Sequence, residues 1–310
     1  MQEQSFIFTI FTPTYNRAKT LHRVYHSLCQ QTFRDFEWLV VDDGSTDNTR
    51  ELIAQWQIQA DFPIRYYYQQ NQHKKVAHNT GIHLARGELF LTLDSDDSCK
   101  AHALECFWQH WQAIPANQRQ YFSAVTALCE KESGEIVGKP FPAELKGGWI
   151  DSDSIEMAYR YGMKGEKWGF QRTDVLRQYP FTQTDIAGLI PENVVWEKIA
   201  EHYKTRFVNE TLRVYHDGDD QVIRAKPQQN ALGHAIACKS MLEHGARYFH
   251  YTPLRLLDIA ISFVRFNAHA RQQQKTQPCR IEGFIPRLLV WSMLPLGYAR
   301  YWFDQYKVSG

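Results

Sequence analysis

Leu91-Thr92-Leu93-Asp94-Ser95-Asp96-Asp97 is an apolar run that ends in a cluster of carboxylates. The pattern predicts a strand over Glu88–Leu93 that stops where Asp94, Asp96 and Asp97 begin. Like charges packed this closely cost free energy unless a cation or donor groups neutralise them. Hard oxygen ligands at a strand end suit a divalent ion such as Mg²⁺ or Mn²⁺, with phosphate oxygens completing its shell. A helix N-cap followed by an acidic first turn is the plainer alternative for the same residues.

Upstream, strands and helices alternate. Ser5–Thr12 is a short Phe/Ile/Thr-rich run ended by Pro13, which reads as a strand. Leu21, Val24, Tyr25 and Leu28 recur at helical spacing. Phe36–Val41 reads as a second buried strand, followed by Asp42-Asp43-Gly44-Ser45. A helix carrying Leu52, Ile53 and Trp56 comes next, capped by Ser45 or Asp47. Ile64–Tyr68 is the third strand, and a helix over Val76–Ala85 stops at Gly87. Such alternation predicts an α/β fold with a mostly parallel, doubly wound sheet and helices on both faces. Ligands of these sheets sit at the carboxyl ends of the strands. Three polar clusters fall there: Pro13–Asn16, Asp42–Asp43 and Asp94–Asp97.

Downstream the pattern loosens. Ala103, Leu104, Phe107 and Trp111 mark a helix, Tyr121–Glu130 a strand, and Lys131–Lys139 a hairpin around Ser133-Gly134. Trp149–Gly165 reads as polar and irregular. Glu192–His202 is expected to be helical and Arg206–Tyr215 a strand. Residues 231–271 are strongly helical, 272–279 is a Gln-rich linker, and Phe284–Phe303 is an aromatic-rich closing segment.

A chain of 310 residues, 44% hydrophobic and 22% charged, has the composition of a soluble globular protein. A net charge of +1 gives no reason to expect nucleic-acid binding. The charge is uneven: residues 227–310 hold ten Lys/Arg against four Asp/Glu, a net of +6, leaving −5 for residues 1–226. The cysteines form no C-x-x-C pair and match no zinc-site spacing, so buried free thiols are expected. Met1–Phe8 is too short and polar for a signal peptide, and no stretch is apolar enough to span a membrane. A cytoplasmic location follows as an expectation. Gly134…Gly138-Lys139 lacks the glycine spacing of a phosphate-binding P-loop.

Thr12-Pro13-Thr14-Tyr15-Asn16-Arg17, Val41-Asp42-Asp43-Gly44-Ser45-Thr46-Asp47 and Leu93-Asp94-Ser95-Asp96-Asp97 together resemble the family 2 glycosyltransferases over roughly residues 5–215. The resemblance implies the GT-A fold. It implies a catalytic domain over 1–226, with a nucleotide-binding half 1–100 and an acceptor half 101–226, and a helical C-terminal extension over 227–310. It implies a nucleotide-sugar donor, UDP-linked by preference. Asp43 would then accept the imide N–H of uracil, while the loop of Pro13, Thr14 and Tyr15 packs on the ring. Asp94 would lie near the ribose, and Asp96 with Asp97 would hold Mn²⁺ or Mg²⁺. Asn71–Asn79 resembles the family's segment before the third helix, which makes Lys74 the candidate cation for the diphosphate.

An inverting transfer needs a general base for the acceptor hydroxyl. The family's base motif, usually Glu-Asp, resembles Pro191-Glu192-Asn193-Val194-Val195-Trp196. Glu192 is the candidate base, Asn193 departs from the pattern, and Asp185 is the fallback. Trp168 and His216 are candidates for acceptor or phosphate contact. The resemblance thus implies a metal-dependent hexosyl- or N-acetylhexosaminyltransferase acting on a saccharide or lipid-linked saccharide in cell-surface polysaccharide or lipopolysaccharide synthesis. A non-catalytic nucleotide-sugar-binding subunit is the alternative that Asn193 favours; a sugar-phosphate nucleotidyltransferase is disfavoured because Thr12–Arg17 has no glycine. The mixed aromatic and basic character of 284–303 suits peripheral attachment to the inner face of a membrane, a cap on the catalytic domain or an oligomer contact.

Overall fold

Phe6–Thr14 (β1) places Phe8, Ile10 and Thr12 on one face and Thr9, Phe11 and Pro13 on the other, and both sets are buried. A strand buried on both faces belongs to the centre of a layered α/β sheet. The computed structural model describes residues 5–142, 148–181, 192–216, 230–273 and 279–309. After β1 come His22–Cys29 (α1), Phe36–Asp42 (β2), Thr49–Gln59 (α2), Ile64–Tyr68 (β3), Lys74–Leu84 (α3) and Gly87–Thr92 (β4). β2 and β4 pair with β1 in parallel, and β3 pairs with β2 in parallel.

The two faces carry different helices. Phe8 and Ile10 share a core cluster with Val24 and Leu28 of α1 and Ile53 and Trp56 of α2. Phe11, on the opposite face, meets α3: a Cβ on Gly81 would lie 2.3 Å from its ring. The chain runs outward from β1 through β2 to β3, then crosses back to add β4 on the other side of β1. This is a topological switch point, where the carboxyl ends of neighbouring strands open a crevice.

Ser98–Cys99 (β5), Ala103–Gln112 (α4), Phe122–Lys131 (β6), Trp149–Ser152 (β7), Ser154–Tyr159 (α5), Lys167–Arg172 (β8), Thr173–Gln178 (α6), Asn193–Ala200 (α7) and Lys204–Tyr215 (β9) continue the chain. The sheet order is β3-β2-β1-β4-β8-β6-β9-β5, with β7 on β9. β8 enters antiparallel to both β4 and β6. The segment Trp149–Gly165, expected to be irregular, contains β7 and α5. Asp153 caps α5, its Oδ1 accepting the Glu156 N–H at 2.8 Å. Among the described residues the hairpin after β6 closes at Gly134, φ +81°, with an antiparallel bridge from Glu130 to Ile136.

Ala231–Gly245 (α8), Pro253–Gln272 (α9), Phe284–Ser292 (α10) and Leu294–Ser309 (α11) complete the chain. Two compact units result, and they interleave in sequence. The first comprises Met1–Ser152, Met163–Gln183 and His202–Asp219; the second comprises Asp153–Gly162, Thr184–Glu201 and Asp220–Gly310. In the second unit α5 lies against α8: Gly245 leaves room for the Tyr159 ring, whose hydroxyl donates to the Met241 carbonyl at 3.1 Å. All six cysteines are free; Cys99 and Cys129 are buried, and burial pushes both thiols up to about 12, whereas Cys29 is exposed.

Candidate functional site

The three polar loops after β1, β2 and β4 meet around one open cavity of about 430 Å³ in the first unit. The loops after β1 and β2 hold each other. Asn16 takes φ +53°, a region that asparagine tolerates better than most residues, and its Oδ1 accepts the Thr46 N–H at 2.7 Å. Its own N–H donates to Ser45 Oγ at 2.8 Å. Asp42 is the loop holder: Oδ1 accepts the Ser45 N–H and Oδ2 the Tyr66 hydroxyl, both at 2.7 Å. Burial, and then the Asp42 carboxylate, raise the Tyr66 phenol well above its ordinary value.

Asp43 lines the cavity. Its Oδ1 accepts from Gln69 Nε2 at 2.7 Å and from the Gln72 N–H at 2.9 Å. Its Oδ2 makes no hydrogen bond among the described residues, so a carboxylate oxygen is held in place with its acceptor capacity unused. Pro13, Thr14 and Tyr15 line the same cavity. Thr14 Oγ1 is buried without a hydrogen-bond partner, and the Tyr15 side chain is half exposed. An orphaned hydroxyl beside an open cavity is a feature a polar ligand would satisfy.

The acidic loop is unequal in its parts. Asp94 Oδ1 accepts from Lys74 Nζ at 2.8 Å and Oδ2 from Arg213 Nη2 at 3.1 Å. Burial works to raise this carboxyl, but Lys74 and Arg213 outweigh it and hold it below the usual range. Asp97 is buried and fully engaged. Arg213 Nε donates to its Oδ2 at 2.8 Å, Arg213 Nη2 donates to the same oxygen, and the His216 N–H donates to Oδ1 at 3.1 Å. Asp96 makes no side-chain hydrogen bond or ion pair among the described residues, and only its carbonyl is used, accepting from Arg23 Nη1 at 3.1 Å. Of the expected metal pair, Asp96 is thus the carboxylate without a side-chain partner among the described residues, while Arg213 holds Asp97 Oδ2 and the His216 N–H holds Oδ1.

No cluster of three or more His, Cys, Asp or Glu side chains among the described residues forms a ready metal cage. The donor set still fits a hard divalent ion of the kind that takes one or two carboxylates and draws its other ligands from phosphate and water. Asp96, with no side-chain partner among the described residues, offers such a carboxylate.

Arg213, Glu166 and Tyr215 also line the cavity. Arg213 Nη1 donates to Glu166 Oε1 at 3.3 Å, so one guanidinium serves Asp94, Asp97 and Glu166. Arg213 was missing from the expected set. Its signal is an arginine inside the apolar strand sequence Thr211-Leu212-Arg213-Val214-Tyr215, since a buried arginine requires carboxylate partners.

His216 adjoins the cluster through its backbone, but its ring is otherwise committed: Nε2 lies 2.9 Å from Ser98 Oγ and Nδ1 2.7 Å from Glu132 Oε1. Trp168 is a correction. It is 3% exposed, its Nε1 donates to the Thr92 carbonyl at 2.6 Å, and its ring sits 5.3 Å from Phe107. A buried indole anchoring β8 to β4 offers no face to a sugar. Glu192 precedes α7 in the second unit and is exposed there. The fallback Asp185 lies outside the described residues.

Residues 9–136 match the sequence profile of Glycosyl transferase family 2. An uncharacterized glycosyltransferase of Nostoc is 42% identical over 97 residues, 31% of this chain and 30% of that protein. A GalNAc(5)-diNAcBac-PP-undecaprenol beta-1,3-glucosyltransferase of Campylobacter jejuni is 26% identical over 212 residues, 67% of this chain and 63% of that protein. The aligned regions thus span less than two thirds of these relatives' own lengths. The fold is shared with S. aureus TarS 1-349 in complex with UDP-GlcNAc, at a TM-score of 0.64 and 14% identity, over 97% of this chain and 92% of that one. The mixed α/β sheet with its helical C-terminal region is the fold of that glycosyltransferase structure, and the stretch 9–136 that carries the first polar loops is the part of the chain similar to Glycosyl transferase family 2.

Proposed function

We propose that the chain is an inverting glycosyltransferase that moves a sugar from a nucleoside diphosphate donor, UDP-linked by preference, to a saccharide or lipid-linked saccharide acceptor in cell-surface polysaccharide synthesis. The observation that carries this reading is the convergence of Thr14, Tyr15, Asp43, Lys74, Asp94 and Asp96 on one cavity at the switch point of the sheet. The Campylobacter relative's lipid-linked acceptor and the UDP-GlcNAc of the TarS complex support the class of acceptor and donor.

Each role follows from the chemistry of the group. Asp43 Oδ2 accepts the uracil N3–H, with Tyr15 against the ring and Thr14 Oγ1 free to bond the donor. Lys74, the first residue of α3, brings its charge and the positive end of the helix dipole to the diphosphate. Asp94, already neutralised by Lys74 and Arg213, accepts from the ribose hydroxyls. Asp96 would hold a divalent cation together with the donor's phosphate oxygens. When bound, such an ion supplies Lewis-acid stabilisation of negative charge on the leaving diphosphate. Glu192 is proposed as the base on the resemblance of its motif: its carboxylate takes the acceptor hydroxyl's proton as the oxygen attacks the anomeric carbon.

The test is thermal unfolding with UDP, GDP and CDP, each with and without Mn²⁺, followed by sugar transfer in wild type and Glu192→Gln. Stabilisation by UDP that depends on metal is expected. In Glu192→Gln, transfer falls by about 10²-fold or more while UDP stabilisation stays unchanged. Equal shifts for all three nucleotides would sink the donor assignment, and full transfer by Glu192→Gln would sink the base assignment.

A further inference from the structure

The second unit has a surface built contrary to the rule for a solvated helix. Nine of the seventeen exposed large hydrophobic side chains among the described residues lie between 284 and 306, on α10 and α11. In α10, Pro286 and Leu289 point inward while Phe284, Leu288 and Trp291 face out. In α11 the inward stripe is small or polar: Gly297 lies on Val264 of α9, and Asp304 accepts from Arg265 and His269 of α9. The outward side holds Leu296, Trp302, Phe303 and Tyr306. A water-facing helix normally shows the opposite pattern, and exposed apolar patches of this extent mark interaction surfaces.

Charge accompanies the patch. A cavity of about 460 Å³ beside α10 and α11 is lined by Arg271, Arg280 and Arg287, and by no carboxylate. Its walls include Phe263, Leu294, Trp291 and Tyr298. Arg287 Nε donates to the Ile281 carbonyl at 2.9 Å, while Arg271 and Arg280 form no ion pair among the described residues. Apolar walls that end in unneutralised guanidinium groups suit an amphiphile with an anionic head.

We propose that the outward face of α10 and α11, together with the arginines of the adjoining cavity, docks on an anionic lipid bilayer. Aromatic side chains such as Trp291 (71% exposed) and Trp302 (66% exposed) enter the boundary between headgroups and acyl chains. Arg271 and Arg280 bind lipid phosphates. The net charge of +6 over residues 227–310 draws the face to an anionic surface and disfavours a second copy of the same face, where arginine would meet arginine. Among the described residues no helix is long and apolar enough to cross a membrane, so attachment is in the plane of the interface.

The experiment is flotation of the full chain with phosphatidylcholine vesicles and with vesicles of phosphatidylcholine and phosphatidylglycerol, at low and high salt. Binding only to the phosphatidylglycerol vesicles, weakened by salt, is expected. Trp291→Ser/Trp302→Ser and, separately, Arg271→Gln/Arg280→Gln each lower that binding by about tenfold or more. All four positions lie outside the nucleotide cavity, so UDP-induced stabilisation remains and reports folding separately. Absence of binding to either vesicle overturns the proposal, as does binding of equal strength to both. A concentration-dependent dimer in sedimentation velocity that the tryptophan variant abolishes would assign the face to self-association instead.

Discussion

Arg213 and Asp97 form a buried ion pair in the wall of the cavity at the strand ends, with Arg213 Nε donating to Asp97 Oδ2 at 2.8 Å. The pair does two things at once. It engages Asp97 Oδ2, and it lets three acidic side chains stand close together without mutual repulsion. Removing one member of such a pair leaves an uncompensated buried charge.

Arg213→Ala is therefore expected to lower stability by about 3–5 kcal/mol, and Arg213→Met combined with Asp97→Leu to recover much of that loss. Asp96→Asn should behave in the opposite way. Its carboxylate has no partner to lose among the described residues, so stability changes by no more than about 0.5 kcal/mol while the metal-dependent stabilisation by UDP is lost. Urea unfolding and the nucleotide thermal shift separate the two. If Asp97→Asn abolished the metal effect and left stability untouched, the assignment of roles within the acidic loop would be reversed.

Asp43 makes a prediction about the base. Its Oδ1 is fixed by Gln69 and by the Gln72 N–H, both of them donors. An asparagine here keeps its carbonyl oxygen toward those donors and turns its NH₂ toward the ligand. Uracil N3 is a donor and would then face a donor, whereas cytosine N3 is an acceptor and would be matched. Asp43→Asn should weaken UDP by about 1–3 kcal/mol and bring CDP to comparable or better affinity. Isothermal titration of both nucleotides checks this, and unchanged UDP affinity would remove Asp43 from the base contact.

Much of this arrangement is legible in the sequence, for identifiable reasons. Short apolar runs and period-3.6 patterns point to β1 to β4 and their helices, because the central strands β1 and β2 are buried on both faces by helices next to them in sequence. Polar residues after each strand then had to lie on one edge. β8 was not anticipated as a strand: Lys167–Arg172 is short and mixed, and its place between β4 and β6 depends on pairing with distant partners. The same distance hid Arg213, whose carboxylate partners Asp94 and Asp97 lie well over a hundred residues earlier. Trp168 was misjudged because exposure cannot be read from an indole beside Gly169; only the packing of Phe107 and the Thr92 carbonyl decides it.

Asn193, the departure from the family's acidic pair, has a structural partner. Its Nδ2 donates to Glu197 Oε1 at 3.2 Å, one turn along α7, and Ser240 Oγ donates to the other oxygen. Burial nonetheless pushes the Glu197 carboxyl up to about 7, against an ordinary value of 4.5, the hydrogen bonds from Ser240 and Asn193 offsetting only part of the effect. Because the folded chain holds this proton more tightly than the unfolded chain, this group's contribution to stability is fully present below about pH 4.5 and is lost as pH rises through about 7. Glu197→Gln should match wild type near pH 4 and exceed it above pH 7 by on the order of 3 kcal/mol. Asn193→Asp restores the family's acid but puts a second carboxylate against Glu197. It should therefore be less stable than wild type at pH 8, with the deficit shrinking toward pH 5 as Glu197 takes up its proton. Melting temperatures of the three proteins from pH 4 to pH 8 test the scheme. A Glu197→Gln difference that did not change with pH would show that this carboxyl titrates normally, and Asn193 would need another explanation.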